Sequence, residues 1–147
     1  MSARLAAAVV LVVTVAARCA SGPPAPAHPG PEEACRFCRM TIVDPRLVSQ
    51  LVAPREEAMF FDDLGCLRAF LDSTPRLASG TIAYVTDHRT GQWVRAELAV
   101  YTRLDGLATP MDSHVIAHES PASRGADPAA AGGRPVPFED MFPVRPR

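Results

Sequence analysis

The chain has 147 residues, 48% hydrophobic and 21% charged, which suits one folded domain and is too short for a multidomain catalytic machine. Its formal charge of −1 combines 15 arginines with 16 acidic side chains, so no basic surface is available to neutralise a phosphate backbone and nucleic acid is not an expected partner. Neither lysine nor asparagine occurs, which excludes a lysine Schiff base, a P-loop lysine, Asn-linked glycosylation and an Asn-containing triad.

Met1 to Arg4 precede a charge-free run from Leu5 to Ala17, the order of a signal peptide and a run shorter than the roughly 20 residues that cross a bilayer. Residues 1–18 read as a cleaved export signal. Cys19 stands where a lipoprotein signal places its lipidated cysteine, with Arg18 occupying the position where a small residue is expected. Five of the 15 prolines crowd between Pro23 and Pro31, so residues 19–33 read as a Pro-rich tether. The folded domain is expected over 34–142, followed by a short tail, 143–147.

Within that domain, Leu47 to Ala53 alternates like a strand, Pro54 to Glu57 turns, and Ala58 to Phe61 forms a second strand. Asp62 is expected to cap a helix carrying Leu64, Leu67, Phe70 and Leu71 on one face. Thr81 to Asp87 reads as a strand, His88 to Gly91 as a hairpin turn, and Trp93 to Tyr101 as an extended return with Trp93 packed over the core. His114 to His118 is a further short strand. Pro121 to Ala131 is alanine-rich like a helix but interrupted by Gly125 and Pro128. Gly132-Gly133 turns the chain toward Val136 to Phe138, with Met141-Phe142 as a last edge strand. The fold class is therefore α+β, with a loose repeat of a β-β-α plan.

The chemistry concentrates on sulfur. Cys35-Arg-Phe-Cys38-Arg-Met40 places two thiols and a thioether within six residues, and a Cys-x-x-Cys loop brings both sulfurs to one ion. Three readings stay open from spacing: copper(I), which accepts thiolate and thioether; a structural disulfide, favoured outside the cytoplasm; and a redox dithiol or zinc site, for which a βαβ context or further close Cys/His ligands are missing. Downstream, Pro110 holds Thr109 extended and fixes the direction of Met111, which reads as a thioether ligand or a core gap-filler. His114 and His118 read as ligands or as strand-face histidines, whereas His28 in the tether and His88 in a turn do not read as ligands. Asp62 and Asp63 read as capping residues in preference to an acid/base pair, and Cys66 as a small shielded hydrophobe within the helix.

Taken together, the segments Cys35-x-x-Cys38-x-Met40-x-Ile42, Phe61-Asp-Asp-Leu-Gly-Cys66, Tyr84-Val-Thr-Asp87 with Thr90-Gly-Gln-Trp93, and Thr109-Pro-Met111 resemble, in order and spacing, the NosL family of copper chaperones. The resemblance covers roughly Cys35 to Phe142. It departs at Arg39, where the family commonly has glycine. It implies ββαβ-type units similar in topology to organomercurial lyase, one copper(I) bound per chain, and delivery of copper for maturation of a cuproenzyme, nitrous oxide reductase first among them. It further implies a non-catalytic, exported protein on the periplasmic side of a membrane, lipid-anchored through Cys19, with an ABC-transporter assembly complex as a further partner. The expected metal ligands are Cys35, Cys38, Met40 and Met111, with His114 contributing less. The alternatives are a thiol protein for soft metals, akin to organomercurial lyase, and a disulfide-stabilised exported binding domain.

Overall fold

The structure, a computed structural model, describes residues 22–74 and 76–142; the expected signal peptide, Cys19 and the tail from residue 143 lie outside the described residues. It is an α+β fold built from two antiparallel sheets. The first sheet contains β1 (Ser49–Val52), β2 (Met59–Phe61), β3 (Ile82–Thr86) and β4 (Trp93–Arg95) in the order β2-β1-β3-β4. The second contains β5 (Val100–Arg103), β6 (Val115–His118) and β7 (Arg134–Val136) in the order β6-β5-β7. Between β2 and β3 runs α1 (Leu64–Ser73), between β6 and β7 the short α2 (Pro121–Gly125), and α3 (Phe138–Met141) ends the domain.

The two sheets share a plan. In each, the first strand of the unit is central and pairs antiparallel with the next strand on one side and with the strand after the helix on the other. The expected β-β-α repeat is thus present as connectivity. All four residues of β1 are buried, including Ser49 and Gln50, so this strand is covered on both faces. Leu51 joins the apolar core with Phe61, Leu67, Val85, Val115 and Ala117. On the opposite face, the Gln50 amide accepts from the Ala27 N–H (2.9 Å) and donates to the Ala27 carbonyl (3.0 Å), so both its oxygen and its nitrogen have a partner. The Tyr84 hydroxyl donates to the Pro24 carbonyl at 2.7 Å. The proline-rich segment from residue 22 is therefore seated on the first sheet.

Helix α1 starts one residue later than expected, because Asp63 and not Asp62 is its cap: Asp63 has extended backbone (φ −151°) and accepts from the Gly65 N–H. Its apolar stripe rests on the core, with the Phe61 and Phe70 rings 5.2 Å apart. The extended run expected from Trp93 to Tyr101 is interrupted by a 3₁₀ turn at Ala96–Leu98, which carries the chain from the first sheet to the second. The Tyr101 hydroxyl fastens that turn by donating to the Ala96 carbonyl at 2.7 Å. Trp93 is only half-buried and faces the His28 ring, centroids 6.5 Å apart, in place of the expected core packing. Met141-Phe142 is not an edge strand. Phe138, Met141 and Phe142 have helical spacing, and one helical turn stacks Phe138 on Phe142 (5.0 Å) and Phe142 near Tyr101 (5.9 Å).

Asp87 joins the two halves. Its buried carboxylate accepts from the Arg89 and Thr90 N–H groups of its own turn (3.0 and 2.8 Å). It also accepts from the Glu119 N–H (2.8 Å) and the Ser123 hydroxyl (2.7 Å) beyond β6. Burial acts to raise its pKa, but these donors prevail and hold the carboxyl down at about 2. Beside it, the His88 N–H donates to the Ala117 carbonyl at 2.9 Å.

Candidate metal centre

Residues 35–40 form a closed loop. The Cys35 N–H donates to the Met40 carbonyl (2.8 Å), the Arg39 N–H to the Cys35 carbonyl (3.0 Å), and Ala34 bridges Thr41 antiparallel. The Arg36 N–H donates to the Phe60 carbonyl (2.7 Å), which lashes the loop to β2. Closing so tight a turn requires a left-handed residue, and Arg39 takes it at φ 68°. This explains the glycine expected there: a side-chain-bearing residue costs about 1 kcal/mol in that conformation.

The loop delivers Cys35, fully buried, and Cys38, half-buried, to the place where β2 ends and α1 begins. Asp62 follows β2 directly, and Cys66 lies on the first turn of α1. One ligand atom from each of Cys35, Cys38, Asp62 and Cys66 falls within 4.8 Å of all the others. The Cys38 thiol donates to the Asp62 carboxylate, with sulfur 3.4 and 3.6 Å from its two oxygens. All three cysteines are free thiols. Burial pushes the Cys38 thiol up, opposed by its bond to the Met40 backbone. Burial likewise pushes Cys66 far above the ordinary thiol range, with Asp62 and Cys35 adding to it. Cys38 and Cys66 are thus held as neutral thiols, and a metal ion bound there would displace their protons.

Sequence reading missed two members of this group. Asp62 is not the helix cap, and Cys66 is a core thiol as expected but also one of the four converging groups. The available signal was the motif itself, since a cysteine three residues after the Asp63 cap turns back toward the end of the preceding strand.

Asp63 does different work from its neighbour. Its carboxylate accepts from the Gly65 and Met111 N–H groups (2.5 and 2.9 Å). Burial acts to raise its pKa, but the Ser113 and Thr109 hydroxyls together with these two amides hold it below the usual carboxylate range. A Cβ on Gly65 would lie 3.1 Å from the Ser113 Cβ, so glycine lets the Thr109–Ser113 loop sit on the first turn of α1. That loop brings the Met111 backbone to the residue next to Asp62. The Met111 side chain is 43% exposed, Met40 is 44% exposed on the cysteine loop itself, and Phe37 is also exposed. His114, at φ 55°, donates from Nδ1 to the Leu107 carbonyl (2.5 Å) and from its N–H to the Thr109 hydroxyl (3.2 Å), closing the base of the Met111 loop. Of the five expected ligands, the structure therefore gathers Cys35 and Cys38 directly. It carries Met40 on their loop, docks Met111 through Asp63, and places His114 in the support of that loop.

A second group lies apart from the thiols: His88, His118 and Asp127, all buried. His88, read from sequence as an ordinary turn residue, is one of its members.

A search of the curated proteins and a search of the solved structures each found no match. The sequence does match the NosL family over residues 26–144, which takes in the seated proline-rich segment from residue 26 onward and both sheets. The chain is therefore a member of the NosL family, copper-binding accessory proteins.

Proposed function

We propose that this protein carries copper(I) without catalysing a reaction, and hands it to a cuproenzyme during maturation, nitrous oxide reductase being the first candidate. The observation that carries this reading is the convergence of three thiols and one carboxylate, with only Cys38 reaching toward solvent and the Met40 and Met111 thioethers exposed on flanking loops. Thiolate and thioether select copper(I) over harder divalent ions. A donor must also release its ion, and the half-exposed Cys38 with weak thioethers beside it gives a recipient's ligands a point of attack. In this reading the protein is exported, acts on the periplasmic side of a membrane to which Cys19 anchors it, and works beside an ABC-transporter assembly complex.

Competition against a chromophoric copper(I) chelator under anaerobic, reducing conditions tests the core of this reading. One equivalent is expected per chain. Met111→Leu keeps volume and removes sulfur, so it should weaken retention by roughly 10-fold with the fold intact. Cys35→Ser or Cys38→Ser should weaken it more, since each removes a thiolate. Unchanged affinity in all three variants overturns the site. Intact mass of the membrane-extracted protein tests export: a diacylated species starting at Cys19 is expected, and an N-terminus at Met1 rejects it.

A second reading has one observation in its favour. Asp62 sits at 3.4 Å from the Cys38 sulfur, where a proton donor for carbon–mercury cleavage would be needed. Release of hydrocarbon from an organomercurial would select this reading, whereas stoichiometric binding without product selects copper carriage.

A further inference from the structure

We propose that His88, His118 and Asp127 form a second metal site, for a divalent ion of the zinc class, that staples the two sheets together independently of the thiol site. His88 comes from the turn after β3 in the first sheet, His118 ends β6 in the second, and Asp127 caps the 3₁₀ turn Pro128–Ala130. His88 Nδ1 and His118 Nε2 both lie against the same oxygen, Asp127 Oδ2, at 2.7 and 2.9 Å. His118 is wholly buried, and His88 and Asp127 are nearly so.

Two imidazole nitrogens and a carboxylate oxygen are a borderline donor set, which suits zinc and leaves the soft copper(I) to the cysteines. The fit is close. Donor atoms on a tetrahedral zinc lie about 3.3 Å apart, given Zn–N and Zn–O bonds of about 2.0–2.2 Å. Each imidazole nitrogen therefore needs to draw back from Oδ2 by only about half an ångström to admit the ion, and the three donor atoms already lie within 4.8 Å of one another.

The surroundings are built to hold such a site. The other Asp127 oxygen, Oδ1, accepts from the Ala129 N–H at 2.9 Å, which leaves Oδ2 directed at the two rings. Asp87, next to His88 in sequence, binds the N–H of Glu119, next to His118. One buried carboxylate thus fixes the backbones on which both histidines stand.

The independent sign is on the far side of His118. Its Nδ1 is buried and has no hydrogen-bond partner among the described residues. A buried ring nitrogen without a partner is uncommon in a purely structural hydrogen-bond triad. No donor pins a lone pair at Nδ1, so the ring can move its proton there, giving up the Nε2–H bond to Asp127 Oδ2, and present Nε2 as a lone pair to a cation that takes the hydrogen's place between ring and carboxylate.

Zinc binding is to be measured on the full exported protein, loaded with copper(I), by equilibrium dialysis and by zinc-edge X-ray absorption. Expected is one zinc per chain in a nitrogen and oxygen shell without sulfur, retained when Cys35, Cys38 and Cys66 are all replaced by serine. Asp127→Asn and His88→Gln should each weaken binding at least 100-fold. Zinc at 100 times its Kd should raise Tm by on the order of 10 °C in the parent protein and not in Asp127→Asn. Circular dichroism of the zinc-free variants separates lost ligation from lost fold, and the absorption shell of the parent protein identifies the ligands without any variant. The proposal is overturned by a sulfur shell that disappears in the serine variant, by unchanged affinity in both folded variants, or by copper-loaded protein that takes up no zinc. Since the serine variant has no thiol site, failure of copper carriage leaves the zinc result standing, and the reverse also holds.

Discussion

Cys66→Ser will lower copper(I) affinity by on the order of 100-fold or more while the domain stays folded. The substitution is nearly isosteric, and serine is tolerated in the first turn of a helix, so α1 keeps its Asp63 cap and its apolar stripe. What it removes is the one thiol supplied by the helix, within 4.8 Å of Cys35, Cys38 and Asp62. A hydroxyl is a hard, weakly binding substitute that does not ionise in this setting. Anaerobic competition titration with a chromophoric chelator measures the loss, and thermal unfolding of the apoprotein provides the control. If the ion sits only on the Cys35 to Met40 loop and Met111, the affinity of Cys66→Ser equals that of the parent, and the helix thiol is a core residue and nothing more.

Asp87→Ala will be the most destabilising single substitution outside the apolar core, at about 3–5 kcal/mol, because it strands buried donors that lose their acceptor together. Those donors are the Arg89, Thr90 and Glu119 N–H groups and the Ser123 hydroxyl. The dependence on acid follows from the sign of the shift. The folded carboxyl titrates at about 2, below the unfolded value of about 3.9. Its stabilisation is therefore fully present above the unfolded value and is lost as pH falls through the folded one, a change of about 2 kcal/mol. Urea unfolding of parent and variant at pH 7 and at pH 2 should show the gap between them narrowing by about that amount in acid. An equal gap at both values would mean that the carboxylate charge plays no part in holding the sheets together.

Much of this architecture was readable from local pattern, and the errors have identifiable causes. Strands β1 to β3 and helix α1 follow from alternation, turn residues and helical spacing. The extended reading of Trp93 to Tyr101 failed because the chain changes sheets at Ala96–Leu98, and the Ala-Glu-Leu triplet that turns there is too short to stand out between the flanking Trp93-Val94 and Val100-Tyr101 pairs. Met141-Phe142 failed because the determining contacts, to Tyr101 and Phe138, span distances that a short window does not see. At the site, Cys35 and Cys38 announced themselves by spacing. Cys66 and Asp62 did not, since their role depends on β2 running directly into α1 against a loop more than 20 residues earlier in the chain. His88, His118 and Asp127 were invisible for the same reason on a larger scale: they meet only because β3 and β6 belong to neighbouring sheets.

The seating of the proline-rich segment sets how far the domain can travel. Among the described residues, the first held by a side chain of the sheet is Pro24, bonded to Tyr84, and Ala27 is clasped by Gln50 just beyond it. With the acyl anchor on Cys19 proposed above, five peptide steps separate lipid from sheet, a reach of at most about 18 Å when fully drawn out. Such a leash is shorter than the bilayer is thick. The domain would patrol a surface and not a volume, so a recipient for its copper must itself come within a leash length of the membrane, or the leash must first be unclasped from Gln50 and Tyr84.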